Sequence, residues 1–249
     1  MAKTERGELA EAKTSGEPVE LLVSAAASLA DALKDIQAAY ATQEPRVKLV
    51  FNFGASGSLQ QQIEQGVPAD LFISAAMKNM KVLVDQGLVD AAKQKVLLRN
   101  ELVVVVPASA GGQAVIAKLE DLNAALVRHV AIGEPQTVPA GGYAKEALLQ
   151  AKLWDMLAPK LVQGKDVRQV LTYVESGNAE AGFVYRTDAK FSSKVKVAVR
   201  VDPSTYSPID YSAGILKASK HLQEAEAFWT YLQSRAGSDI FKTYGFTIP

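Results

Sequence analysis

The chain has 249 residues, 48% of them apolar and 22% charged, with Lys+Arg and Asp+Glu equal at 27 each and no cysteine. That length buries a sizeable core, as one large domain or two lobes of about 100 residues each. Balanced charge without a polybasic block gives nucleic acid no electrostatic footing. The missing cysteine excludes thiol catalysis, disulfides and thiolate metal sites.

Residues 1–17 are polar and charged and lack the apolar stretch of an intact signal peptide. No run reaches the roughly 18 apolar residues of a membrane span. Two readings of this start stand open: a cytoplasmic protein with a frayed N-terminus, or an exported one whose signal was replaced by Met1.

In chain order, Val19–Ser24 is a short apolar run that predicts a buried strand. Leu29, Leu33, Ile36 and Tyr40 recur at helical spacing and predict a helix from residue 28 to about 41. Val47–Phe53 alternates as a strand, and Leu59 and Ile63 mark a helix ending near Gly66-Val67-Pro68. Asp70–Ser74 is a buried strand, followed by a helix carrying Met80, Leu83, Val84 and Leu88. This β-α order implies a parallel sheet with helices on both faces.

Leu102–Pro107 is the most apolar strand of the chain, and the small residues Ala108–Gln113 read as a loop. His129–Ile132 predicts a strand and Tyr143–Leu157 a single helix. Val167–Ser176 predicts a helix ended by Gly177-Asn178. Ala181–Tyr185 and Val195–Val201 read as strands, and Tyr211–Leu216 as a possible further one. His221–Tyr244 reads as two amphipathic helices. Two β/α series and a returning helical tail suggest two lobes with a cleft between them.

Four segments lie at or near predicted helix starts: Ala25–Ser28, Gly54–Ser58, Val138–Gly142 and Asp166–Arg168. Helix starts carry unpaired N–H donors and the positive end of the helix dipole, which suits a small ionised oxyanion. The candidates are Ser28, Ser56, the N–H of Ala140 and the N–H of Val167, with Tyr185 ending a strand. Each has a plainer reading alone. Ser28 would be an ordinary N-cap, Ser56 a flexible turn, Ala140 a loop residue, Val167 the residue after an Asp166 cap, and Tyr185 a core tyrosine. Gly54–Gly57 partly matches a nucleophile elbow, but position 58 is Ser where that motif has Gly. The two histidines, His129 and His221, read as solvated surface residues, so a serine hydrolase using Ser56 is weakly supported.

The stretches SAAASLADAL, FGASGSL, GVPADLFISA, VPAGGYAKEAL, DVRQVL, GFVYRTDA and IFKTYGFTIP, in this order and spacing, closely resemble the molybdate-binding proteins of bacterial ABC importers. These are group II periplasmic solute-binding proteins, and the likeness covers residues 18–249. It implies an α/β, two-lobed periplasmic-binding-protein-like fold of type II. Each lobe is then a mixed, mostly parallel sheet flanked by helices, with the ligand cleft between. Lobe I is expected over 18–101 plus 210–249 and lobe II over 102–209, with 1–17 outside as a disordered, tag or processed segment.

By the same resemblance the oxyanion is held by hydrogen bonds alone. The donors are Ser28 and Ser56 (hydroxyl and N–H), the N–H groups of Ala140 and Val167, and the Tyr185 hydroxyl. Gly57 departs from the commoner Ser-rich loop and is expected to loosen it without touching a contact. No added carboxylate is found in the matching segments, so tetrahedral coordination is expected, with molybdenum or tungsten held only as the oxyanion.

A donor-only cage suits molybdate, tungstate and sulfate, which are full dianions, and disfavours hydrogen phosphate, whose proton would go unaccepted at ~1–3 kcal/mol. Sulfate is smaller and would leave a rigid cage's bonds long. The resemblance thus implies a non-enzymatic, monomeric capture protein without cofactor, delivering molybdate or tungstate to an ABC-transporter permease. It would work in the periplasm or at the outer side of the membrane. A binding protein for another oxyanion or a small organic anion is the alternative. With no group titrating near neutrality, affinity is expected to be flat from about pH 6.5 to 9 and to fall above as Tyr185 ionises.

Overall fold

The computed structural model describes residues 18–109 and 116–249. The chain begins with β1 (Val19–Ala26), a 3-10 turn (Ala27–Leu29), α1 (Ala30–Gln43), β2 (Val47–Gly54), α2 (Ser56–Glu64), β3 (Leu71–Ser74), α3 (Met77–Asp85) and β4 (Val89–Arg99). It crosses to a second unit of β5 (Leu102–Pro107), β6 (Val130–Gly133), α4 (Pro139–Gln150), α5 (Trp154–Leu157), β7 (Leu161–Gly164), α6 (Val167–Glu175), β8 (Ala181–Tyr185), α7 (Arg186–Lys190) and β9 (Val195–Arg200). It then returns with β10 (Asp210–Leu216), α8 (Leu222–Gln233) and α9 (Arg235–Thr243).

The strands form two five-stranded sheets, ordered β2-β1-β3-β10-β4 and β7-β6-β8-β5-β9. In the first, only β10 opposes its neighbours; in the second, only β5 does. Each odd strand is the one that arrives directly from the other unit. Both sheets are therefore mixed, with the other strands running one way, in an α/β fold of two lobes.

Burial explains the pattern. β3, β5, β6 and β8 are buried along their whole length, hence their unbroken apolar sequences. The helix α1 turns Ala32, Leu33, Ile36 and Tyr40 inward, and α6 does the same with Val167, Val170, Leu171 and Val174. Gly177, at φ +75°, ends α6 in the left-handed conformation that glycine adopts freely.

Three expectations change. The helix expected over 143–157 starts earlier, at Pro139, whose missing N–H costs nothing in a first turn. It also breaks at Lys152, whose φ of 59° ends the helical run before α5. Neither β4 nor β7 was foreseen. Both are edge strands, and β4 buries only Val89, Leu97 and Leu98, so most of its length carries little apolar signal. In the loop expected over Ala108–Gln113, residues 110–113 lie outside the described residues; Ala108 and Ser109 form a turn.

Candidate anion site

Every segment singled out as a donor lies at the carboxyl end of a strand. Ser28 follows β1, Ser56 follows β2, Ala140 opens the helix after β6, Val167 opens the helix after β7, and Tyr185 ends β8. All five line one small cavity between the lobes, with Ala27, Ala55, Ala75, Val138, Pro139 and Asp166 among its other walls. This is where ligands of open α/β sheets sit.

Each residue is placed by its own local chemistry. Ser28 lies in the 3-10 turn and is not the cap of α1; its Oγ is 2.9 Å from the Tyr211 hydroxyl instead. Ser56 opens α2, and its fully buried Oγ accepts the Ala75 N–H at 2.9 Å. Ala140 is the second residue of α4. Its position is fixed by Gly141, where an added Cβ would lie 1.9 Å from the Gly133 carbonyl oxygen. Only glycine lets the start of α4 press so closely on the end of β6. Asp166 caps α6 by accepting the Gln169 N–H at 2.9 Å, which leaves Val167 as the first helical residue. The N–H groups of Ser56, Ala140 and Val167 lie in first helical turns, where no intrahelical carbonyl reaches them, and like the Ser28 N–H they donate to no carbonyl outside their own element among the described residues. The Tyr185 hydroxyl is buried and has no partner at hydrogen-bond distance among the described residues, with the Tyr211 hydroxyl near enough to help raise its pKa. Buried polar groups are rarely left so, and here five donors are left so around one small space.

The electrostatics are those of dipoles. Asp166 is the one carboxylate residue in the wall, and it is engaged in capping its own helix. Arg168 is not part of the cavity wall. Its Nη2 lies 2.9 Å from Asp31 across the cleft and 3.4 Å from the Ser28 carbonyl, and its Nε lies 3.1 Å from Asp188. Asp188 is fully buried and accepts the Tyr185 N–H at 3.2 Å. Burial pushes its carboxyl up to about 6, against the pull of Arg168. Burial also pushes the Tyr185 hydroxyl well above its ordinary range, so it stays a donor in alkaline solution. The fall in affinity expected above pH 9 is therefore displaced to far higher pH.

Sequence reasoning missed three residues and one role. Tyr211, Asn100 and Ala75 were not singled out, and Arg168 stood in a donor segment without its pairing to Asp31, because each acts through a contact distant in sequence. The reading of Gly57 is also corrected. Its N–H donates to the Thr137 carbonyl of the opposite lobe at 2.9 Å, and an added Cβ would lie 2.6 Å from that oxygen. Gly57 lets the lobes touch, in the first turn of α2, rather than loosening a loop. A further contact across the cleft is Tyr143 Oη donating to the Ala75 carbonyl at 3.2 Å.

Among the described residues nothing beside Ser56 is placed to act as a base for the hydrolase alternative. The only hydrogen-bond partner of Ser56 Oγ among the described residues is a backbone N–H. His129 sits half-exposed beside Glu180, and His221 lines a groove with Leu88 and Leu216, away from the cavity.

Two α/β lobes joined by two crossovers, with a small donor-lined cavity between them, define a solute-binding architecture. The bacterial extracellular solute-binding protein family matches residues 21–247, and the chain belongs to it. It is 46% identical over 94% of its length to YvgL of Bacillus subtilis, a protein named as a candidate ABC transporter substrate-binding lipoprotein, and spans 88% of it. It is 40% identical over 92% of its length to the molybdate-binding protein ModA of Haemophilus influenzae, spanning 90% of that protein. In structure it is similar to the periplasmic molybdate-binding protein of Azotobacter vinelandii. The TM-score is 0.82 at 25% identity, covering 92% of this chain and 99% of the other. Family membership puts its place of work outside the cytoplasm.

Proposed function

We propose that this chain captures molybdate, and tungstate with it, in the interlobe cavity. It delivers the anion to the membrane permease of an ABC transporter and does no chemistry on it. The carrying observation is the set of unpartnered donors on one small cavity: four backbone N–H groups and the Tyr185 hydroxyl. The Ser28 and Ser56 hydroxyls complete the cage. The names of the relatives at 40% identity and above, and of the Azotobacter neighbour, support the same reading.

A tetrahedral dianion satisfies every donor and demands no acceptor. Hydrogen phosphate brings a proton that the cage cannot accept, at ~1–3 kcal/mol. Sulfate shares the charge but is smaller, so its bonds in a cage set for molybdate are long and weak. One chain supplies both halves of the cage, so a monomer suffices for binding. Isothermal titration with molybdate, tungstate, sulfate and phosphate tests this. One molybdate per chain, matched by tungstate and far ahead of sulfate and phosphate, is expected. Sulfate binding as tightly as molybdate would overturn the size argument, and no heat with molybdate would overturn the assignment.

A further inference from the structure

We infer that Asn100 and Tyr211 are positioning residues that fix the polarity of Ser28, and through it the selectivity of the cavity for anions that carry no proton. This inference rests on the anion reading above and adds to it the residues that set its selectivity.

The direction of each bond follows from the one before. The Asn100 side-chain oxygen accepts the Glu101 N–H at 2.9 Å, which settles the orientation of its amide. Its NH2 group then faces Thr187 Oγ1 at 2.9 Å and the Tyr211 oxygen at 3.3 Å, donating to both. In the relay Tyr211, with Asn100 donating to its oxygen, gives its own proton to Ser28 Oγ at 2.9 Å, a contact whose geometry accommodates either hydroxyl as donor. Ser28 Oγ thereby accepts from the protein, and its own O–H is left to donate into the cavity that it lines. Ser56 reaches the same state by a simpler route, since its Oγ accepts the Ala75 N–H. Both serine hydroxyls thus enter the cavity as donors, each held by a donor behind it. Tyr211 is fully buried, with its ring edge-on to Tyr185 and Phe246, so the relay is rigid.

Asn100→Asp reverses the chain of bonds. The carboxylate keeps an acceptor for the Glu101 N–H and offers a second to Tyr211. The Tyr211 proton turns to it, Ser28 donates to Tyr211, and a lone pair of Ser28 faces the anion. The added charge repels molybdate and hydrogen phosphate alike, so the ratio of their affinities isolates the change in polarity. Molybdate is titrated directly at pH 8 and phosphate is measured by competition. The expected result is a molybdate-to-phosphate ratio lowered about tenfold or more in Asn100→Asp. In the isosteric Tyr211→Phe background, which cuts the relay, the same substitution should change the ratio by less than about twofold. Ligand-free melting confirms that each variant is folded. A ratio unchanged by Asn100→Asp, or changed equally with Phe at 211, overturns the relay while leaving the anion reading intact. A wild-type chain that binds no molybdate overturns both.

Discussion

In Tyr185→Phe the ring keeps its packing against Tyr211 and only an unpartnered hydroxyl is lost. The ligand-free protein gives up no hydrogen bond, so its melting temperature should hold or rise. The bound state gives up one hydrogen bond to a dianion, worth about 1.5–3 kcal/mol, or roughly 10- to 150-fold in Kd. The consequence for ligand-linked stability can be worked through. At molybdate equal to 100 times the wild-type Kd, the ligand adds about 2.7 kcal/mol to the wild type. With affinity reduced about 30-fold, the same concentration adds only about 0.9 kcal/mol. At about 2–4 °C per kcal/mol for a chain of this size, the molybdate-induced shift should drop from about 5–11 °C to about 2–4 °C. Differential scanning fluorimetry with and without molybdate, beside calorimetric titration, measures both quantities. A ligand-free variant that melts several degrees lower, or a Kd within twofold of wild type, would refute the placement of this hydroxyl as a free donor.

Gly141→Ala forces a Cβ to within 1.9 Å of the Gly133 carbonyl oxygen, backbone against backbone. It should cost about 3 kcal/mol and lower the ligand-free melting temperature by roughly 6–12 °C; a normal melt would show that α4 is free to shift. Asp188 has a folded-state pKa of about 6, above its ordinary 3.8, so the folded protein binds the extra proton between these values. Its contribution to stability is present in full below about pH 4 and is lost as pH rises through about 6, by an amount on the order of 3 kcal/mol. Urea unfolding of ligand-free wild type and Asp188→Asn across this window should show the wild type losing ground to the variant as pH rises; parallel profiles would count against it. Molybdate affinity should stay flat to pH 10, because burial keeps the Tyr185 hydroxyl protonated; an alkaline fall near pH 9 would mean that Tyr185 is open to water.

The parts legible in the sequence are those encoded locally. β1, β3, β5, β6 and β8 are buried strands, and their apolar runs say so. The helix starts at Ser56 and Val167 are announced by small residues and an aspartate cap, and the small residues after Pro139 mark a third donor segment, although that helix was expected only from Tyr143. What was not legible depends on partners far along the chain. β4 becomes a strand through pairing with β10, more than 100 residues later, and its exposed positions leave no alternation to read. Tyr211 could be read only as the start of a strand, because the serine it serves is 183 positions away. Gly57 is explained by Thr137 and Arg168 by Asp31, both on the opposite lobe.

The placement of β10 between β3 and β4 has a consequence for the order of assembly. The strands of the second sheet, β5 to β9, are contiguous in the chain, whereas the first sheet waits for a strand drawn from near the end. Until residues 210–216 arrive, β4 has no neighbour, β3 has an open edge and Ser28 lacks Tyr211. Contacts of such long sequence separation form late because the loop must close before they reward it. A nascent chain can therefore complete its second sheet while the first is still unpaired. The cage gains its last support only when residues 210–216 have emerged.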